Sequence, residues 1–211
     1  LCEGRARYTA PRVRKALDVW GDMIARGYFT DPATRMITDG GHLWNTEQFG
    51  MVLIGSWYWG SVLVSQGVPP EDIRAFILPS HNPEAGNNII FESLPIFAAK
   101  NSKNLDAVLA VADWWMGAEG NGQFARLAGS LPANSKSDVS HLPPVKEMLA
   151  SEIRSGDYRL LNRYWEATPT PICEYAVEKL AEFILEPDTV SEILSQIDSF
   201  ALIYWDEQKQ N

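Results

Sequence analysis

Cysteine and histidine are scarce in this chain of 211 residues, and neither is arranged to hold a metal ion. The two cysteines, Cys2 and Cys173, lie far apart, and the three histidines show no spacing typical of metal ligands. Two cysteines are compatible with one disulfide or with two free thiols, so the redox compartment stays open. No metal and no cofactor is expected, since phosphate-binding loops and dinucleotide fingerprints are also missing.

Long hydrophobic runs and an excess of positive charge are missing too. No apolar stretch approaches the roughly 18 residues that a membrane helix needs. The 18 basic residues against 27 acidic ones give a net charge of -9. Nucleic acids and anionic membrane surfaces are therefore excluded as partners, because both require clustered Lys and Arg. The sequence starts on Leu1 without a signal peptide, which leads us to expect an internal piece of a longer protein.

Tryptophan, by contrast, is abundant, with eight residues in the chain. The densest aromatic cluster, Ser56-Trp57-Tyr58-Trp59, follows Gly50–Gly55, an apolar run that predicts a strand buried on both faces. Ligands bind α/β sheets at the carboxyl ends of such strands. Trp57 and Trp59 would then stack on a sugar ring while Ser56 forms hydrogen bonds. An aromatic plug in the core under the next helix is an equally weighted alternative.

Hydrophobic periodicity elsewhere predicts strands alternating with helices, and therefore an α/β layered fold. A first helix is expected over 10–26, with Pro11 in its first turn, and the last begins at a capping box, Thr189 with Glu192. Residues 28–45 are expected to form a loop, because Asp-Pro and Gly-Gly pairs interrupt them. Further strands or extended pieces are predicted at 73–78, 89–91 and 94–99, and further helices at 102–116, 122–128, 143–154 and 172–185.

Catalytic motifs are weak. The sequence has no Gly-x-Ser-x-Gly elbow, and a nucleophilic triad would need a well-oriented histidine. Glu92, Glu166 and Glu174 lie in or beside irregular segments rich in aromatic residues, and two convergent carboxylates would indicate a glycosidase. We expect instead that Glu92 binds solute hydroxyls and that the other two are surface charges, so that the chain is not an enzyme.

Four stretches, in this order, resemble the extracellular solute-binding proteins of ABC sugar importers, the group that includes maltose-binding protein. They are Tyr8–Val13 with Gly27–Phe29, Phe49–Trp57, Leu94–Ala98 with Lys100–Asn104, and Gly129–Ala133. The resemblance covers nearly the whole chain but only the second half of a family member. It implies a component that carries a small solute, with a sugar expected, to the permease subunits in the membrane.

The resemblance also implies a fold and a location. The fold would be α/β of the periplasmic-binding-protein-like type II, with the C-terminal lobe plus a crossover helix segment of the N-terminal lobe. Residues 1–90 would form the C-terminal-lobe α/β segment, 91–130 the crossover and helices normally packed in the other lobe, and 131–211 the helical return. The protein would be periplasmic or extracellular, and a lipoprotein tether is compatible with either.

The resemblance implies the remaining binding residues. Trp57 and Trp59 would line the cleft, Glu92 and Ser93 would occupy the crossover, and Glu174 and Tyr175 would project from a late helix. Family members often have glycine at the crossover, so Glu92 would replace a backbone contact. The alternative is a non-sugar solute, such as a polyamine or an organic acid; Glu92 and the acidic net charge would suit a cation. Either the missing N-terminal lobe or self-association would cover the apolar face of helix 102–116.

Overall fold

The computed structural model describes residues 1–80, 82–92, 95–140, 142–155 and 157–210. The chain forms two compact units. The terminal unit comprises Leu1–Thr34, Phe91–Ser93 and Asn162–Asn211, and the middle unit comprises Arg35–Ile90 and Leu94–Leu161. The α-helices are α1 (Pro11–Ala25), α2 (Met36–Asn45), α3 (Leu105–Met116), α4 (Ala118–Ala128), α5 (Pro144–Arg154), α6 (Tyr164–Ala167), α7 (Thr170–Leu185) and α8 (Val190–Gln210).

A small parallel sheet joins two strands, β1 (Asn88–Phe91) and β2 (Arg159–Asn162). The N–H of Arg159 donates to the carbonyl of Asn87, and the N–H of Arg163 donates to that of Phe91, each at 2.9 Å. The same offset at both ends makes the pairing parallel. The predicted helix-rich α/β class is thus confirmed, and each strand carries the chain from the middle unit into the terminal unit.

The terminal unit is built from the three helices α1, α7 and α8 around one hydrophobic core. As predicted, α1 turns Val13, Leu17, Trp20 and Ile24 toward that core, and the Trp20 ring lies 5.3 Å from that of Phe183. Burial of each large apolar side chain contributes about 1.5–3 kcal/mol. The core residues are Tyr8, Ile172, Ala176, Phe183, Val190, Ile193, Leu194, Ile197 and Ala201.

A buried carboxylate fixes the N-terminal segment to α8. Asp198, 4% exposed, accepts hydrogen bonds from the Arg7 guanidinium and, at 2.7 Å, from the backbone N–H of Tyr8. The Arg7 hydrogen bond lowers the pKa of Asp198. The Tyr8 hydroxyl meets that of Tyr164, and burial raises the pKa of Tyr8.

The expected loop over 28–45 is wrong in its second half, where α2 forms. Gly40 and Gly41 lie inside this helix. They have no Cβ, and this lets neighbouring side chains pack directly against the helix backbone. A Cβ at Gly40 would stand 1.9 Å from the Tyr58 hydroxyl oxygen, and one at Gly41 would stand 2.3 Å from Cβ of Gln66. The Gly41 N–H also donates to the Gln66 side-chain oxygen at 2.8 Å. The glycines therefore serve close packing rather than a turn.

The strands predicted at 50–55 and 73–78 do not form. Both segments run without ladder partners, and Met51 and Leu53 are each 79% exposed. Ile73 is buried at the start of the second segment, whereas Phe76 is 65% exposed. A buried strand requires neighbouring strands on both sides, which a short apolar run cannot specify by itself.

Helix α3 packs on α4 and leaves its apolar face uncovered, as the sequence led us to expect. None of its residues is buried, and Trp115 contacts Phe124 of α4 with ring centroids 5.1 Å apart. An apolar groove of about 330 Å³ runs beside the helix, lined by Ile96, Val108, Val111, Ala112 and Trp115. The helix α4 ends as predicted at Gly129, which has a left-handed conformation (φ +61°).

Candidate functional site

The strongest candidate for a binding surface is the segment Ser56–Trp59, called here the aromatic turn. It follows the extended segment 50–55 and opens a π-helical turn, Trp59–Leu63. Tyr58 is only 1% exposed, and its hydroxyl donates to the Met36 carbonyl at 2.6 Å. Trp57 and Trp59 on either side are half-buried, and Ser56 is exposed. Tyr58 is thus the core anchor, while the two flanking indoles keep part of their surface accessible.

Trp57 is oriented by its two neighbours on the chain. Its ring meets that of Tyr58 edge to face, with centroids 5.7 Å apart, an arrangement that aromatic pairs favour. Gly55 lies beneath the indole, and a Cβ there would stand 2.5 Å from Nε1 of Trp57. Only glycine therefore fits at position 55 with this ring orientation. The Trp57 indole therefore packs between Gly55 and the Tyr58 ring.

Trp59 rests on a buried lysine that the sequence reasoning missed. Lys146 of α5 is 1% exposed, its ammonium donates to the carbonyl of Ser56, and it lies 5.8 Å from the centre of the Trp59 ring. Burial lowers the pKa of Lys146 to about 8. Within the described residues, Nε1 of Trp59 is buried without a hydrogen-bond partner.

A spacing signal could have identified Lys146. It stands four residues after Leu142 and four before Ala150, both of which are buried, so it lies on the inner face of the segment. A lysine at such a position is ordinarily assigned to the surface with its ammonium in water. Here the whole side chain is enclosed.

Glu92 forms an ion pair just after β1. The Arg163 guanidinium lies 2.6 Å from the Glu92 carboxylate and also bridges to Glu166, to which its Nε donates at 2.9 Å. The hydrogen bond from Arg163 lowers the pKa of Glu166. Ser93, the other predicted crossover residue, lies outside the described residues.

Glu174 and Tyr175 lie on α7 in the terminal unit. Glu174 is exposed, whereas the Tyr175 ring stacks on Phe200 of α8, with centroids 4.5 Å apart and planes 15° apart. Lys179 holds its ammonium 5.7 Å from the centre of the Tyr175 ring. The structure therefore brings Ser56, Trp57 and Trp59 together in the middle unit, and places the other described candidates in the terminal unit.

The electrostatics around the carboxylates bear on the glycosidase alternative. A glycosidase needs a general acid with a raised pKa. Glu166 has a lowered pKa, because Arg163 stabilises its charged form. In the described part of the chain, no cluster of His, Cys, Asp and Glu could hold a metal ion, and Cys2 and Cys173 are free thiols. No described helix is long and apolar enough to cross a membrane.

Partly accessible indoles such as Trp57 and Trp59 can stack on a small solute. The comparison with protein families agrees: residues 4–122 match the bacterial extracellular solute-binding proteins, and this match covers more than half of the chain. The chain belongs to that family. Its role is thus extracellular solute binding for a transporter. Comparison with curated proteins and with solved structures gave no match.

Proposed function

We propose that the chain binds a carbohydrate and delivers it to the membrane permease of an ABC importer, without catalytic activity. The observation that carries this proposal is the aromatic turn, where Tyr58 is anchored in the core and Trp57 and Trp59 remain partly accessible. Flat indole faces suit the C–H surfaces of pyranose rings, and the exposed Ser56 hydroxyl supplies a polar partner. The family match includes this segment.

We propose that Glu92, Ser93, Glu174 and Tyr175 also contribute to solute binding. Glu92 and Ser93 would contact solute hydroxyls from the crossover, and Glu174 with Tyr175 would add contacts from α7. The proposed fold is that of a two-lobe, type II binding protein, in which a hinge motion closes the lobes on the solute.

The chain would represent the C-terminal lobe with a crossover segment of the other lobe. Residues 1–90, 91–130 and 131–211 would be its three parts, with the middle part packing in the N-terminal lobe. The uncovered apolar face of α3 supports this assignment, since Leu109 and Val111 are each more than half exposed. The expected location is the periplasm or the outer cell surface, and a lipoprotein tether fits both.

Charge near the candidate residues favours a carbohydrate over the alternative, a polyamine. A cationic solute would need unpaired carboxylates, yet Glu92 and Glu166 both bind Arg163. Lys146 adds a positive charge beneath the aromatic turn. Neutral hydroxyl groups, in contrast, can both donate to carboxylates and accept from cations.

The proposal is tested by titrating the full-length protein with mono- and oligosaccharides and with polyamines, using tryptophan fluorescence and calorimetry. Saturable binding of a sugar is expected, with an emission change that Trp57→Ala diminishes. Saturation by polyamines alone would contradict the carbohydrate assignment. Turnover of a chromogenic glycoside would contradict the absence of catalysis.

A further inference from the structure

We propose that Lys146 is a positioning residue for solute binding: its ammonium holds the aromatic turn from beneath, and so fixes the orientation of the Trp57 and Trp59 faces. The proposal rests on the carbohydrate-binding function proposed above. It concerns a residue that makes no contact with the solute, because Lys146 is 1% exposed.

Two contacts from one side chain carry the proposal. The ammonium of Lys146 donates to the carbonyl of Ser56, the first residue of the turn, and it lies 5.8 Å from the ring centre of Trp59, the last one. A charged donor to a carbonyl and a cation facing an indole are both attractive, and both strengthen away from water. A single buried group therefore links the two ends of the turn.

The Lys146 side chain extends from a buried position on helix α5. It leaves α5 at a position flanked by the buried residues Val145 and Ala150, and the helix starts at Pro144. A second attachment of the turn is Tyr58, whose hydroxyl donates to the Met36 carbonyl of α2. The turn is thus attached to two helices, and Lys146 is its polar attachment to α5.

Burial of the Lys146 charge at this place is energetically unfavourable. Space filling by itself therefore does not explain a lysine here. In the described residues no carboxylate forms an ion pair with Lys146, and burial of an unpaired cation opposes folding. Methionine would fill a similar volume without that cost. What only the lysine supplies is the hydrogen bond to Ser56 and the charge under Trp59.

Protonation of Lys146 offers a readout that a purely structural role would not produce. Burial alone lowers its pKa to about 8, so the ammonium loses its proton as the pH rises from 7 to 9. The nearby Tyr58 has a raised pKa and stays neutral over this range. The other titratable groups on these elements are Asp39 and His42 of α2 and Glu147, Glu152 and Arg154 of α5, and none of them contributes to the Lys146 shift.

The test compares wild type, Lys146→Met and Lys146→Arg in the full-length protein. We expect Lys146→Met to fold at least as stably as wild type but to bind the sugar about tenfold more weakly, the loss typical of one charge-assisted hydrogen bond. The wild-type affinity and the ligand-free tryptophan emission should both change between pH 7 and 9 with a midpoint near 8, and both should be flat in Lys146→Met. Lys146→Arg, which stays charged, should retain binding better than Lys146→Met and also lose the pH dependence.

Equal affinity in wild type and Lys146→Met, or the same pH profile in both, would overturn the positioning role. If no sugar binds to wild type, the proposed function fails, but the pH dependence of the ligand-free emission still tests Lys146 by itself. If Lys146→Met does not fold, the pH profile of Lys146→Arg against wild type decides: a retained midpoint near 8 in the arginine variant overturns the proposal.

Discussion

Replacing Gly40 with alanine tests the packing beneath the aromatic turn. The new Cβ would stand 1.9 Å from the hydroxyl oxygen of Tyr58 and 3.1 Å from its Cζ, far inside contact distance. Tyr58 is fully enclosed, so the ring cannot swing into solvent without leaving its cluster. The clash must therefore displace either the tyrosine or helix α2.

The magnitude follows from three opposing contributions. Alanine gains roughly 1 kcal/mol of helix propensity over glycine. Overpacking in an enclosed core costs about 1–3 kcal/mol. Loss of the Tyr58 hydrogen bond leaves a buried carbonyl at Met36 without its donor, at a cost of about 1–3 kcal/mol. The sum is a net destabilisation of roughly 3 kcal/mol.

The assay is equilibrium urea unfolding, followed by tryptophan fluorescence and by circular dichroism. Gly50→Ala is the control, because its Cβ would meet nothing within 4 Å and the variant should stay within about 0.5 kcal/mol of wild type. In a Tyr58→Phe background, Gly40→Ala should cost much less, since the closest atom is gone. If the two changes are additive and Gly40→Ala resembles Gly50→Ala, helix α2 does not pack on Tyr58.

The other predictions concern binding, acid stability and the exposed helix. Trp57→Ala should weaken solute binding about tenfold in calorimetry while the protein still folds, whereas unchanged affinity would remove Trp57 from the site. Asp198→Asn should reduce stability near neutral pH. Because Arg7 lowers the pKa of Asp198, the stabilisation of the wild type by this pair is present above pH 4 and is lost as the pH falls through the lowered pKa. The variant should not show this loss of stability in acid. Identical profiles of stability against pH in the two proteins would refute the pairing of Asp198 with Arg7. Leu109→Glu should reduce self-association in sedimentation and change stability by less than about 0.5 kcal/mol, and a larger loss would mean that α3 is covered.

The parts of the fold that local periodicity controls could be predicted from the sequence. The apolar face of α1 and the left-handed end of α4 at Gly129 follow from spacing and from glycine chemistry, and both agree with the structure. The segments 50–55 and 73–78 could not be predicted in this way, because a strand exists only if another segment pairs with it. The two glycines of α2 were misread as breakers, since their contacts with Tyr58 and Gln66 are visible only in three dimensions.

In the candidate site, too, local patterns predict some residues and tertiary contacts decide the others. Trp57 and Trp59 could be selected from their density and their place after an apolar run, although that run is not the expected strand. Burial of Tyr58 between them follows from its contact with α2, which no local pattern indicates. Lys146 was missed because a lysine is read as exposed, and only the fold places it under a residue 90 positions earlier.

We propose that the partly accessible faces of Trp57 and Trp59 hold a sugar without reacting with it. Calorimetric titration of the full-length protein with a saccharide panel, repeated with Trp57→Ala and Trp59→Ala, tests it most directly. We expect saturable heat with at least one saccharide, weaker binding in both variants, and recovery of the saccharide unchanged. A folded protein that binds no saccharide, or that binds one equally well without either indole, would contradict it.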